Sequence, residues 1–168
     1  MKMMMNPPML SFLGLLGFIV MLLVTPPLGV SSSGMLYKGL TISALNITGR
    51  VACSTSSNPP ASAPGIGGVL NLTFTCNGGA TKLGSVLTDP EGFFDFLATF
   101  IDGLVTDDTT LPCVVTVPLP ANSSCSVFPP KAVLRATLRI VGVTVNALLG
   151  LVCIVNIGEL TSAAAVNI

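Results

Sequence analysis

The sequence contains no histidine and no tryptophan, and it has a single tyrosine among 168 residues. Histidine is the commonest general base and a required member of Ser-His-Asp and Cys-His catalytic groups, so both kinds of active site are excluded. Its absence also removes the usual nitrogen ligand of zinc, and no Cys-x-x-Cys pair is present to form a zinc knuckle. The cysteines therefore call for another explanation than catalysis or metal binding.

Charged residues are also scarce, at 8% of the chain, and seven basic residues balance seven acidic ones. In soluble domains about a quarter of all residues are usually charged. A nearly neutral chain has no cationic stripe for phosphates, so we expect no nucleic-acid partner. The glycines at residues 65–68 precede a strand instead of a helix, which is not the context of a phosphate-binding loop.

The acidic side chains do not favour catalysis. A carboxylate pair for glycoside hydrolysis would have to come from four residues, namely Asp89, Glu91, Asp95 and Asp102. Two of these, Asp89 and Glu91, belong to a turn that explains them structurally, and the Asp107-Asp108 pair has no further acidic ligands around it for calcium. We predict a protein that is not an enzyme and that uses no cofactor or metal.

The N-terminus has the order of a secretory signal peptide. Lys2 supplies the positive charge, residues 9–24 form an apolar run, and Pro26 and Pro27 end it. Small residues follow, so cleavage is expected between residues 29 and 33. A membrane anchor is the competing interpretation, but a spanning helix needs about 20 apolar residues and this run is shorter.

Three Asn-x-Ser/Thr sequons follow the leader, at Asn46, Asn71 and Asn122. One such site would be unremarkable, but three in a short chain with a leader predict that some carry N-linked glycans. Glycans would supply solubility that the sparse charges do not. The five cysteines, in the oxidising compartment that the leader implies, predict a disulfide framework with one thiol left over.

Alternating apolar and polar residues predict strands. Residues 69–76 place Leu70, Leu72, Phe74 and Cys76 on one face, and residues 133–145 place Leu134, Ala136, Leu138 and Ile140 on one face. Strands recur about every ten residues between Pro- and Gly-rich turns, as at residues 77–79 and 89–92. The pattern is typical of an all-β sandwich or barrel.

The predicted organisation has four parts. These are a signal peptide at residues 1–31, a linker at 32–39, a β-domain at 40–158 and a tail at 159–168. Within the domain, residues 54–68 form a long loop rich in Ser, Pro and Gly, and residues 102–112 form a polar loop.

An uncharged stretch at residues 140–157 raises a second membrane question. Its 18 residues are long enough for a transmembrane or lipid-anchor interpretation. Two asparagines, two glycines and a β-branched run argue against that interpretation. We instead predict two buried strands with a turn near Asn146, and no membrane span in the mature chain.

Several of these segments resemble a known group of plant proteins. They are ITGRVAC at residues 47–53, LTFTC at 72–76, TDPEGFF at 88–94 and LPC at 111–113, followed by the Cys125 segment. The chain is similar to the phylloplanins, within the wider family of the olive pollen major allergen and extensin-like proteins. The resemblance covers residues 42–141, which is most of the mature chain.

The resemblance implies a secreted, β-rich, often glycosylated protein with disulfides Cys53–Cys125 and Cys76–Cys113. In that family a further cysteine stands three residues after the first and pairs with the last. This chain has Ser56 there, so Cys153, aligned with the last cysteine, is left as the free thiol.

Two functions follow as expectations. The resemblance implies a defence protein of the plant surface, which inhibits fungi or oomycetes by binding a microbial surface component or by adhering to the cuticle. The alternative is a structural protein of the plant cell wall that binds polysaccharide or other wall proteins, with the loop at residues 54–68 as a candidate contact. The simpler interpretation of this loop is a disordered connector between strands.

Overall fold

A computed structural model of the chain describes residues 34–99 and 101–163, and the predicted signal peptide lies outside these ranges. The described residues form eleven strands and a single 3₁₀ turn, Asn77–Gly79, which confirms the predicted all-β class. The strands are β1 Met35–Tyr37, β2 Leu40–Ile42, β3 Ala44–Arg50, β4 Asn71–Cys76, β5 Thr81–Leu87, β6 Phe93–Ala98, β7 Val105–Thr106, β8 Thr110–Pro118, β9 Val133–Asn146, β10 Gly150–Ile157 and β11 Thr161–Ala163.

The main sheet is barrel-like and nearly closed. Its strands follow the order β5-β4-β8-β9-β10-β3-β6, and β11 adds to the start of β9. All neighbours in this path are antiparallel except β10 and β3, which run parallel. The two end strands, β5 and β6, contact each other without being joined in the hydrogen-bonded path. Of the two predicted architectures, the structure therefore has the barrel.

The core lies inside this barrel and follows the predicted alternation. The apolar faces predicted for β4 and β9 are buried, whereas Arg135, Thr137 and Arg139 on β9 are exposed. At the seam between the two end strands, the rings of Phe74 on β4 and Phe96 on β6 stack with centroids 4.8 Å apart. Side-chain packing therefore closes the barrel where backbone pairing stops.

Two disulfides connect the domain. Cys53 bonds to Cys125 across 72 residues, and Cys76 bonds to Cys113, which is directly opposite it on the neighbouring strand. These are the pairs that the family resemblance implies. The fifth cysteine, Cys153, is free and fully buried.

The predicted linker and tail both contain strands, which corrects their assignment. In the linker at residues 32–39, Met35–Tyr37 forms β1, which pairs with β2 and β7 in a separate small sheet. In the tail at residues 159–168, Thr161–Ala163 forms β11 and pairs with β9. Strands of two or three residues are too short to show a period of two, and long-range pairing produces them here.

The uncharged C-terminal stretch forms most of the β9–β10 hairpin, with the predicted turn. The Asn146 Oδ1 accepts the backbone N–H groups of Leu148 and Leu149 at 2.9 and 3.0 Å, which fixes the turn. The expectation that both strands are buried is only half right. The part of β9 after Ile140 is largely exposed because the hairpin extends beyond Thr110, the first residue of β8. Among the described residues no helix combines the length and apolarity needed to cross a membrane.

Candidate binding groove

Five polar side chains, one from each of five neighbouring strands, form a continuous row that follows the curved outer face of the barrel. Strand register places Asp95 on β6 opposite Thr48 on β3, and Thr48 opposite Asn156 on β10. It continues from Asn156 to Arg139 on β9 and from Arg139 to Thr110 on β8. We call these five residues the polar row. Since neighbouring strands lie about 4.8 Å apart, a row across five strands is about 19 Å long.

The residues of the polar row point outward because of their position in the strand period. Asp95, Asn156 and Arg139 are exposed, and the other two are half-buried. Their chain neighbours, such as Ile47 and Leu138, point into the barrel and are fully buried. The same alternation that builds the core therefore presents a continuous polar strip to solvent.

The Ser- and Pro-rich loop at residues 54–68 borders the polar row and is held in place. The Arg50 guanidinium donates to the carbonyl oxygens of Pro60 and Ala63, at 3.2 and 2.8 Å, and to that of Glu91 at 3.1 Å. The backbone N–H of Cys53 donates to the Pro64 carbonyl at 2.8 Å. The loop is thus fastened to the barrel at several points, which argues against a disordered connector.

This fastened loop divides the surface into three adjoining open depressions. They measure about 530, 460 and 270 Å³, and Ser57 lines all three. The largest contains Thr48, Asp95 and Asn156 of the polar row, and the other two contain Arg139. We call the three depressions together the groove.

An aromatic ring forms an apolar surface at one end of the groove. Phe93 lines the largest depression and is 53% exposed. The Arg50 guanidinium carbon lies 5.0 Å from the centre of its ring, so a cation–π contact helps to hold the ring in place. An exposed phenyl ring beside hydrogen-bonding side chains offers a flat apolar surface for a ligand.

Charges along the groove nearly cancel. The three depressions are lined by three basic and two acidic side chains, namely Arg50, Arg135, Arg139, Asp95 and Glu159. A surplus of one positive charge gives such a lining little preference for an anion over a neutral ligand. Amide, hydroxyl, carboxylate and guanidinium groups together supply both donors and acceptors, which suits a neutral ligand rich in hydroxyl groups.

Two of the carboxylates considered for hydrolysis have different structural settings. Asp95 belongs to the polar row, whereas Asp89 closes the predicted turn, where its Oδ1 accepts the Phe93 N–H at 2.8 Å. Gly92 completes that turn by donating its N–H to the Asp89 carbonyl at 3.0 Å. Asp108 accepts the N–H of Thr109 in its own loop. Across the two described ranges, no group of three residues is arranged to hold a metal ion.

The three sequons lie in different environments. Asn71 and Asn122 are exposed, at the start of β4 and in the turn after Pro120. Asn46 lies in the middle of β3 between Leu97 and Ile154, and its Oδ1 is buried without a hydrogen-bond partner among the described residues. The exposed pair offers room for a glycan, and the mid-strand asparagine offers less.

Sequence reasoning named Asp95 and the loop at residues 54–68 but missed the polar row. Its members come from five strands and are brought together only by register, so no local motif joins them. The signal that could have found them is the set of polar residues at outward positions of alternating strands. No family model matches the chain, and no curated protein or solved structure is significantly similar to it.

Proposed function

We propose that this chain is a secreted, non-catalytic protein that binds an extended polysaccharide in the groove. The observation that carries this proposal is the polar row, which lines up donors and acceptors across five strands. A linear polymer presents hydroxyl groups at regular intervals along its length, so it can contact successive members of a row that a compact ligand would not span. Its apolar ring faces would pack on Phe93.

The nearly balanced charge of the groove supports a neutral polymer as the ligand. A chain of uronic acids would need a large surplus of basic side chains, whereas the three arginines of the groove are opposed by Asp95 and Glu159. The absence of histidine supports the non-catalytic part of the proposal. The two disulfides fit an oxidising compartment, which supports secretion.

Two sources would supply the same ligand chemistry. The phylloplanin resemblance favours a microbial wall glycan, whose capture would hinder germination of a fungus or oomycete on the plant surface. A plant wall polysaccharide would instead give the structural role. Both rest on the same groove, so one panel of polymers distinguishes them.

The test is a binding panel with the secreted protein, its disulfides intact. Fungal β-glucan and chitin represent the microbial source, xyloglucan and cellulose the plant source, and galacturonan the acidic comparison. We expect binding to a neutral polymer, with Asn156→Ala and Arg139→Ala each weakening the affinity about three- to tenfold, because each removes a hydrogen-bonding group from the row.

Lys82→Ala is the matched control, since it removes an exposed cation from β5 outside the groove. It should leave the affinity unchanged. Binding to the fungal polymers together with inhibition of spore germination would support the defence role, and binding to the plant polymers alone would support the wall role. Failure to bind any polymer, or equal affinity of Asn156→Ala and the wild type, would overturn the groove as a polysaccharide site.

A further inference from the structure

The outer half of β9 has an unpaired edge. The pairing of β8 with β9 ends at Thr110 and Arg139, and the last backbone bond on that side joins the Ile140 N–H to the Thr109 carbonyl at 2.7 Å. Beyond this point β9 pairs with β10 alone as far as Asn146. Within residues 34–99 and 101–163, no other strand covers the second edge of residues 141–146, so alternate N–H and C=O groups there face outward.

This edge lacks the features that usually prevent strands from pairing between molecules. Protective edges carry charges, prolines or covering segments, but residues 140–157 contain neither a charge nor a proline. The other long strand edges differ. β5 carries Lys82 and β6 carries Asp95, and these two strands also cover each other at the seam.

The side chains along the edge are apolar and exposed. Val143 is 39% exposed, Val145 77%, and Leu148 in the adjoining turn 95%. A bulge in the pairing of β9 with β10 falls at Val141, so the regular part of the edge runs from Gly142 to Asn146. Exposed valines on an unpaired, uncharged edge favour addition of a further strand.

We propose that two copies of this chain associate reversibly by antiparallel pairing of residues 142–146. In a two-fold arrangement centred on Thr144, Val143 of one copy lies opposite Val145 of the other on one face of the joined sheet. Thr144 lies opposite its own copy on the other face. Valine pairs and threonine pairs are both favourable cross-strand combinations. The segment is therefore complementary to itself, as a two-fold interface requires.

The proposed interface is small and adjoins the groove without sharing a lining residue with it. The smallest depression reaches Val141, one residue before the paired segment, and Arg139 of the polar row is already flanked by β8. A single added strand contact buries less surface than a permanent dimer needs, so the association should depend on concentration. Substitutions within residues 142–146 and within the polar row therefore test self-association and polysaccharide binding at different side chains.

The first test is sedimentation velocity of the secreted protein over a range of concentrations. We expect a shift from one to two copies per particle as concentration rises, and we expect Val143→Lys to abolish it because the charge would replace the valine–valine contact and the two lysines would repel each other near the two-fold axis. Val69→Lys is the control, since it places the same charge on an exposed loop valine away from the edge. It should dimerise as the wild type does.

The second test fixes the register. Thr144→Cys should form a disulfide-linked dimer when oxidised glutathione accepts the two thiol hydrogens, because the two-fold axis brings position 144 next to its own copy. Ser85→Cys, at an exposed position of β5, should form no disulfide-linked dimer. A monomer at all concentrations, a dimer unaffected by Val143→Lys, or equal cross-linking of both cysteine variants would overturn the proposal. So would a monomeric protein whose β9 edge instead binds lipid vesicles.

Discussion

At the scale of single residues, Cys153 is chemically the most unusual group in the barrel. All five cysteines lie in the described residues, and this one is free and fully buried among core residues of β3 and β10. Burial raises the pKa of its thiol from 9.0 to about 11, because the thiolate would lose its hydration. A neutral thiol reacts slowly with oxidants and alkylating reagents, so the odd cysteine is protected in the folded state.

Because the pKa of the Cys153 thiol is raised by folding, the free energy of unfolding should decrease as pH rises into the alkaline range. The unfolded chain releases the thiol proton near pH 9 and the folded protein near pH 11, so stability present below pH 9 is lost as pH rises through this window. We expect the free energy of unfolding of the wild type to fall by about 2 kcal/mol more than that of Cys153→Ala between pH 8 and 11. Calorimetric unfolding of both proteins would measure it. Parallel pH profiles, or fast alkylation of native Cys153 at pH 8, would contradict the assignment.

At the scale of strands, the seam between β5 and β6 depends on a glycine. A Cβ at Gly84 would lie 2.7 Å from the Cζ of Phe96. The backbone φ of Gly84 is +145°, a value that residues other than glycine rarely adopt. The Phe96 ring cannot move aside freely because it is stacked on Phe74. The close approach of the two end strands therefore requires the absence of a side chain at position 84.

Substitution at this glycine should open the seam. We expect Gly84→Ala to lower the free energy of unfolding by about 1–3 kcal/mol through overpacking, as measured by denaturant unfolding followed by circular dichroism. Gly142→Ala is the matched control, because a Cβ at that strand glycine meets nothing within 4 Å. It should change stability little. The prediction fails if both substitutions cost the same, or if adding Phe96→Ala does not reduce the cost of Gly84→Ala.

Strands could be predicted where the sequence alternates over at least six residues. β4 and the first half of β9 are of this kind, since inward positions are filled by residues such as Leu72 and Leu134. The short strands β1, β7 and β11 could not be predicted because two or three residues are too few to show alternation, and β7 and β11 pair with partners that are distant in sequence. The outer half of β9 is exposed because β8 begins only at Thr110, opposite Arg139. The residues of β9 do not encode where its neighbour begins.

At the scale of the whole molecule, the groove could not be predicted because its parts come from distant segments. Thr48 and Asn156 are adjacent only because β3 and β10 pair in parallel, a connection that spans most of the domain. The sequence did indicate the supporting framework, including the disulfide class and the loop at residues 54–68. What it could not indicate was that Arg50 fastens this loop beside the polar row.

The disulfide at the start of the loop at residues 54–68 should affect both the stability of the fold and ligand binding in the groove. Cys53 directly precedes the loop, and its bond to Cys125 fastens the start of the loop to a distant segment of the chain. Replacing both cysteines by alanine should lower the free energy of unfolding by about 2–4 kcal/mol, because a long closed loop is released in the unfolded state. It should also weaken polysaccharide binding, since Ser57 and Asn58 would no longer be held beside the polar row.

The second disulfide provides the control for this effect on binding. Cys76 and Cys113 join strands that are already paired directly opposite each other, and neither cysteine belongs to the loop or lines the groove. Replacing both by alanine should lower stability by a comparable amount, because loop-closure entropy changes slowly with loop length. Isothermal titration well below the unfolding temperature should then show weakened binding only for the Cys53→Ala/Cys125→Ala protein. Equal affinities in the two double variants would mean that the loop contributes nothing to the groove, and that the polar row alone carries the ligand.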